Sequence, residues 1–129
     1  MTVLLDTHAL IWYASDSPKL STSAKDQIIA AESVFVCAIS AWEIGMLVEK
    51  ERLALSIDVE EWIKLAYQLP KVKWISLTPE IAVLAARLPG EFHGDPADRL
   101  ICATALAKNV ILITADKKIQ SYLHVKTVW

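Results

Sequence analysis

Short apolar runs alternate along this chain with longer stretches of helical spacing, and polar or proline-containing segments punctuate the two. Val3 to Leu5 form an apolar run that ends in Asp6, and THALIWYA follows with helical periodicity, which predicts a strand and then a helix. Ser15 to Pro18 break the pattern, and Ser21 caps an amphipathic helix reaching Ala31. Val34 to Ala38 are β-branched and aromatic enough for a second strand. Ser40 and Glu43 fit an S-x-x-E capping box that opens a helix to Lys50. Asp58 caps the next helix, through Tyr67, and Pro70 marks its end. Trp74 to Leu77 predict a third strand, and Thr78 with Pro79 begin a helix that stops before Pro89 and Gly90. After a polar loop, Asp95 and Pro96 supply the cap and first-turn proline of a helix to Lys108, and Val110 to Ile113 read as a buried fourth strand. A helical turn and an edge strand at Val125 to Val128 complete the order β-α-α-β-α-α-β-α-α-β-α-β. That order predicts one α/β domain over residues 1–129, with a central, mainly parallel sheet and helices on both faces.

In such a sheet, ligands bind beyond the carboxyl ends of the strands, where the strand order reverses. Asp6 ends the first strand, Glu43 lies in the first turn after the second, Asp98 in the first turn before the fourth, and Asp116 just past the fourth. All four can therefore face one crevice. Two carboxylates about 4 Å apart repel by roughly 4 kcal/mol at an effective dielectric near 20, so such a group needs a cation or must bind protons. Oxygen donors without a local His or Cys cluster select Mg²⁺ or Mn²⁺ over Zn²⁺. A carboxylate-held Mg²⁺ keeps water ligands and suits phosphodiester hydrolysis.

Composition narrows the setting. The hydrophobic share, 54%, exceeds the roughly 45–50% of ordinary soluble domains and points to a protein interface. A net charge of −2 argues against a polycationic surface that would bind nucleic acid by counterion release alone. Cys37 and Cys102 lie in apolar runs without CxxC spacing and read as buried, reduced thiols of a cytoplasmic protein. Charges interrupt every long apolar window, so neither a signal peptide nor a membrane span is expected.

Each acid also has a plainer use. Glu43 can be the return arm of the capping box, Asp98 can complement the helix dipole, and Asp116 can be a turn residue. Asp95 reads as a helix cap before a ligand. Asp6, set where a buried strand enters an apolar helix, has few structural uses and reads as functional.

The segments DTHALIW at Asp6 to Trp12, SAWEI at Ser40 to Ile44, HGDPADRLICATA at His93 to Ala105 and ITAD at Ile113 to Asp116 resemble the ordered motifs of PIN-domain proteins. The resemblance spans essentially the whole chain and is greatest to the VapC toxins of toxin–antitoxin pairs. Each motif is short, and the specificity lies in their combination. Cys102 stands where a small alanine is often expected, a change of packing and not of chemistry.

The resemblance implies a metal-dependent endoribonuclease that a cognate antitoxin holds in check, typically as a homodimer within a toxin–antitoxin hetero-oligomer. By motif, Asp6, Asp98 and Asp116 would be metal ligands for Mg²⁺ or Mn²⁺, and Glu43 a ligand or the group that positions the attacking water. Asp95 is a secondary candidate beside Asp98, and Thr7 and Thr114 supply hydroxyls next to two of the acids. Arg99, Lys117 and Lys118 border the crevice and are candidates to meet RNA phosphates. His93 reads as a structural hydrogen-bonder. Trp12, Tyr13 and Trp42 read as core or dimer-face residues before base-stacking ones. Two rival readings are a catalytically silent PIN-like module that only binds RNA or a partner, and a phosphoacceptor signalling domain. The second needs an acceptor Asp after the third strand, where Ser76, Leu77 and Thr78 stand instead.

Overall fold

The computed structural model describes every residue from Met1 to Trp129. Five parallel strands are ordered β3-β2-β1-β4-β5: β1 Thr2–Leu5, β2 Ser33–Cys37, β3 Val72–Ile75, β4 Ile111–Ile113 and β5 Thr127–Val128. The helices are α1 Thr7–Ala14, α2 Thr22–Ala30, α3 Ala38–Glu49, α4 Val59–Tyr67, α5 Pro79–Ala86, α6 Pro96–Lys108 and α7 Lys117–Gln120. The element order matches the expected one.

Strand alternation sorts the apolar residues into two cores. Val3 and Leu5 of β1, Val34 and Val36 of β2 and Ile113 of β4 face α1, α2 and α3. Leu4 of β1, Cys37 of β2 and Leu112 of β4 face α5, α6 and α7. Burial on both faces is why these strands read as unbroken apolar runs. Both cysteines are buried and unpaired. No helix is long and apolar enough to cross a membrane.

Three boundaries differ from the sequence reading. β3 runs two residues earlier than Trp74 to Leu77, because its partner β2 ends at Cys37, opposite Ile75, and the chain then has nothing to pair with. Leu77 is consequently exposed. The edge strand is reduced to Thr127 and Val128, the residues opposite Leu112 and Ile113. The expected capping box at Ser40 and Glu43 is absent, because β2 turns directly into α3 at Ala38. Cys37 is the N-cap, without a side-chain hydrogen bond. Ser40 and Glu43 therefore lie inside the helix, with Glu43 in its second turn.

Candidate active site

β1 lies between β2 and β4, so the chain's direction of travel across the sheet reverses there, and Leu5 and Ile113 end side by side. The next residues of both strands open the site. Asp6 extends the ladder by donating its N–H to the Ile113 carbonyl at 3.1 Å. Its side chain then accepts twice: Oδ2 from the Thr114 hydroxyl at 2.5 Å and Oδ1 from the Ala9 N–H at 2.8 Å. The second bond makes Asp6 the N-cap of α1. This structural use corrects the expectation that the acid had few. An extended backbone at the junction swings the carboxylate over the free N–H groups of the helix.

Thr7, buried at the start of α1, donates its hydroxyl proton to Glu43 Oε1. That commits its only proton, so the Ser40 hydroxyl, 2.9 Å away, donates to Thr7. Ser40 and Glu43 thus share a partner on another helix, three and six residues into α3. No hydrogen bond reaches Glu43 Oε2.

At the start of α6, Asp95 is the N-cap, accepting the Asp98 N–H at 3.0 Å. His93 Nδ1 accepts the Asp95 N–H at 3.3 Å, so the neutral ring carries its proton on Nε2. That atom lies 3.2 Å from Asp98 Oδ2 but without the alignment of a hydrogen bond, and it has no other partner. The structural part foreseen for His93 is therefore only half of its placement. Asp116 caps α7, with Oδ1 accepting from the N–H groups of Lys118 and Ile119 at 2.8 and 3.1 Å. Its own N–H donates to Thr114 Oγ1 at 3.0 Å. One buried threonine hydroxyl thereby ties Asp6 to the backbone of Asp116.

Asp6, Glu43, Asp95, Asp98 and Asp116 all line one cleft of about 410 Å³, together with Thr7, His8 and Trp12. Another cavity, at the opposite end of the strands near Lys126, is larger, at about 610 Å³. Chemistry and not size singles out the acidic cleft. Burial pushes the Asp98 carboxyl up to about 7, and the charges of Asp95, Asp116, Glu43 and Asp6 add to the effect. Burial likewise pushes Asp6 up to about 6, against the lowering effect of the Thr114 and Ala9 hydrogen bonds and the His8 charge, while Glu43 raises it. These acids are held close enough to resist ionising together.

As placed, no three Asp, Glu, His or Cys side chains close into a ready-made metal cage. The donor set nonetheless fits a hydrated Mg²⁺ or Mn²⁺, which bonds to one or two carboxylates and retains water. Its oxygen-rich donors favour those ions over Zn²⁺, which takes mostly His and Cys ligands.

The basic candidates divide. Lys117 and Lys118 are exposed beside Asp116. Arg99 is turned away: its guanidinium donates to the carbonyls of Ala85, Ala86, Phe92 and His93 at 2.8–3.3 Å. That placement corrects the phosphate-binding expectation, since most of its donors fasten the loop between α5 and α6. Trp12 packs on Trp129, with ring centroids 5.5 Å apart, yet also forms cleft wall. Tyr13 packs against the core, and Trp42 is exposed. His8 was missed as a site residue. Its position two residues beyond Asp6, in the first turn of α1, was the available signal.

Comparison with known proteins agrees with this geometry. A family model described as the PIN domain matches residues 3–123. Ribonuclease VapC22 of Mycobacterium tuberculosis is 41% identical over 131 residues, covering 99% of this chain and 98% of that protein. Among solved structures, VapBC2 from Rickettsia felis bound to a promoter DNA fragment aligns with a TM-score of 0.69 at 18% identity, covering 99% of this chain and 98% of the other. A toxin–antitoxin complex from Klebsiella pneumoniae gives 0.69 at 22%, covering 98% and 96%. At these identities the structures speak to fold alone. The family match and the full-length relative go further, and the chain belongs to the PIN-domain family, among its VapC proteins.

Proposed function

We propose that this protein is an endoribonuclease toxin that hydrolyses RNA phosphodiester bonds with Mg²⁺ or Mn²⁺ and is silenced by a cognate antitoxin. One observation carries the reading: Asp6, Glu43, Asp98 and Asp116, remote in sequence, line a single cleft in a PIN fold whose full-length relative is a ribonuclease. A silent binding module gives no reason to crowd carboxylates whose protons are held up to about 6 and 7.

Asp6, Asp98 and Asp116 would hold the metal between them, one or two of the carboxylates bonding to the ion and the rest to its waters. When bound, the ion would supply charge neutralisation at the phosphate and a lowered pKa for water. The chain's own groups do the remainder. Thr114 fixes Asp6, and Thr7 fixes Glu43 with Oε2 open to accept a proton from the attacking water. The backbone N–H groups at the start of α7 hold Asp116 Oδ1 and leave Oδ2 for the cleft. Lys117 and Lys118, beside the acids, would meet RNA phosphates.

The partner reading draws on the VapBC and toxin–antitoxin complexes among the structural neighbours and on the apolar surface of this chain. Trp42 of α3 and Leu65 and Tyr67 of α4 are each more than half exposed. We infer a homodimer that the antitoxin engages over this surface. The test incubates purified protein with single-stranded RNA and Mg²⁺ or Mn²⁺. Cleavage that EDTA and Asp6→Asn both abolish, and that co-purified antitoxin suppresses, is expected. Undiminished cleavage by the variant or in EDTA would overturn the reading.

A further inference from the structure

A second cavity, also about 410 Å³, opens beside the acidic cleft. Two residues join them. His93 lines the second cavity and reaches Asp98 of the first, and Lys118 lines the second while its N–H is held by Asp116.

The second cavity is walled by a run of rings. Phe92 and His93 have centroids 4.3 Å apart, Phe92 and Tyr122 4.8 Å, and Tyr122 and His124 5.3 Å. The run is anchored from behind, where the buried Tyr122 donates its hydroxyl to the Pro89 carbonyl at 2.5 Å. It is also shaped from below. Gly90 has φ +69°, which favours glycine, and a Cβ there would lie 3.0 Å from His124 Nε2, so a larger residue would displace that ring by a few tenths of an ångström. The outer end faces solvent: His124 is exposed and Leu123 is 94% exposed. Core packing accounts for Tyr122 and part of Phe92, but leaves the open face of His124 unexplained.

We propose that this cavity is a nucleobase subsite, which takes the base of the nucleotide next to the scissile phosphate of a single-stranded RNA. The inference rests on the ribonuclease reading and adds a second contact to it. The cavity is large enough to admit a base, the exposed ring of His124 and the part-buried ring of Phe92 line it, and exposed Lys118 on its wall is available to a phosphate of the same strand.

Two measurements test it. Nucleoside monophosphates, added without divalent metal, are expected to shift the ring resonances of His124 and His93 in an NMR titration, whereas ribose 5-phosphate does not. His124→Ala is expected to weaken that binding and to raise KM for RNA roughly fivefold or more, the low end for one stacked base, with kcat within twofold. His124→Phe, which keeps a ring, restores KM. A titration without ring shifts, or an His124→Ala variant that folds normally and keeps the parent KM, overturns the subsite. If the parent cleaves RNA and Asp6→Asn does not while His124→Ala behaves as the parent, the subsite alone fails. If the parent cleaves no RNA, the nuclease reading fails and the titration still decides whether the cavity takes a base.

Discussion

Asp98 shows why the acids are costly to the fold that carries them. Its carboxyl rises from the usual 3.8 to about 7 on folding, and that of Asp6 to about 6, so the folded protein holds these protons more tightly than the unfolded chain. The resulting stabilisation is complete below about pH 3.8 and is lost as the pH rises through about 6 for Asp6 and about 7 for Asp98. At about 1.4 kcal/mol per unit, reduced for the solvent in the open cleft, the loss at Asp98 is roughly 1–3 kcal/mol. Asp98→Asn is therefore expected to be more stable than the parent in urea at pH 8 by that amount, with the gap narrowing in acid and closing near pH 4. The same variant is expected to lose RNA cleavage. A gap that stays constant with pH would contradict the assignment. Thr114 makes a complementary case, since its hydroxyl serves both Asp6 and the Asp116 N–H. Thr114→Val should cost about 1–3 kcal/mol by leaving buried groups unpaired, and Thr114→Ser should recover most of it in thermal melts.

The start of α6 carries both a local and a long-range device. Asp95 and Pro96 form a cap that neighbouring residues specify completely, and Asp95→Ala should cost about 1 kcal/mol while Asp95→Asn costs little. The caps at Ser21, Asp58 and Thr78 were legible for the same reason, because donor and acceptor lie within three residues. Ser40 was not, because its partner is Thr7, 33 residues earlier. Arg99 misled for a related reason: a cation beside an acid reads as a phosphate contact until the loop that encloses it is known. Its four bonds to carbonyls predict that Arg99→Ala speeds amide exchange in the loop from Leu88 to Gly94 and leaves the salt dependence of RNA binding unchanged. Lys117→Ala and Lys118→Ala are each expected to reduce that salt slope by about 0.7 to 1. An Arg99→Ala slope reduced as much as the lysine variants' would reverse the distinction.

Sheet order sets where everything else can act. With β1 central and the chain returning to β4 on its far side, the ends of both strands meet and two helix starts, those of α1 and α7, are aimed at one cleft. Carboxylates gathered there, with only His8 as a cationic side chain in the cleft lining, make the folded state a sink for cations. A divalent ion that binds only the folded protein at ten times its dissociation constant adds about 1.4 kcal/mol. Mg²⁺ or Mn²⁺ is thus expected to raise Tm measurably at pH 8 and hardly at all at pH 5, where Asp6 and Asp98 are largely protonated, and EDTA should reverse the shift. Equal stabilisation at both pH values would point to a site elsewhere.

The succession of strands and helices and the caps at Ser21, Asp58, Thr78 and Asp95 were readable along the chain, because apolar periodicity and short-range hydrogen bonds depend only on near neighbours, and the meeting of the four acids in one cleft followed from their places near strand ends. Where a strand stops was not, since β3 ends when β2 runs out of partners. Nor were the double duty of Asp6, the hydroxyl relay through Thr7 and Thr114, the turning away of Arg99 and the aromatic cavity beside His93. Each depends on contacts between different elements, 6 to 14 positions apart for Arg99 and 33 or more for the threonine hydroxyls, and the packing of helices on a parallel sheet decides those distances.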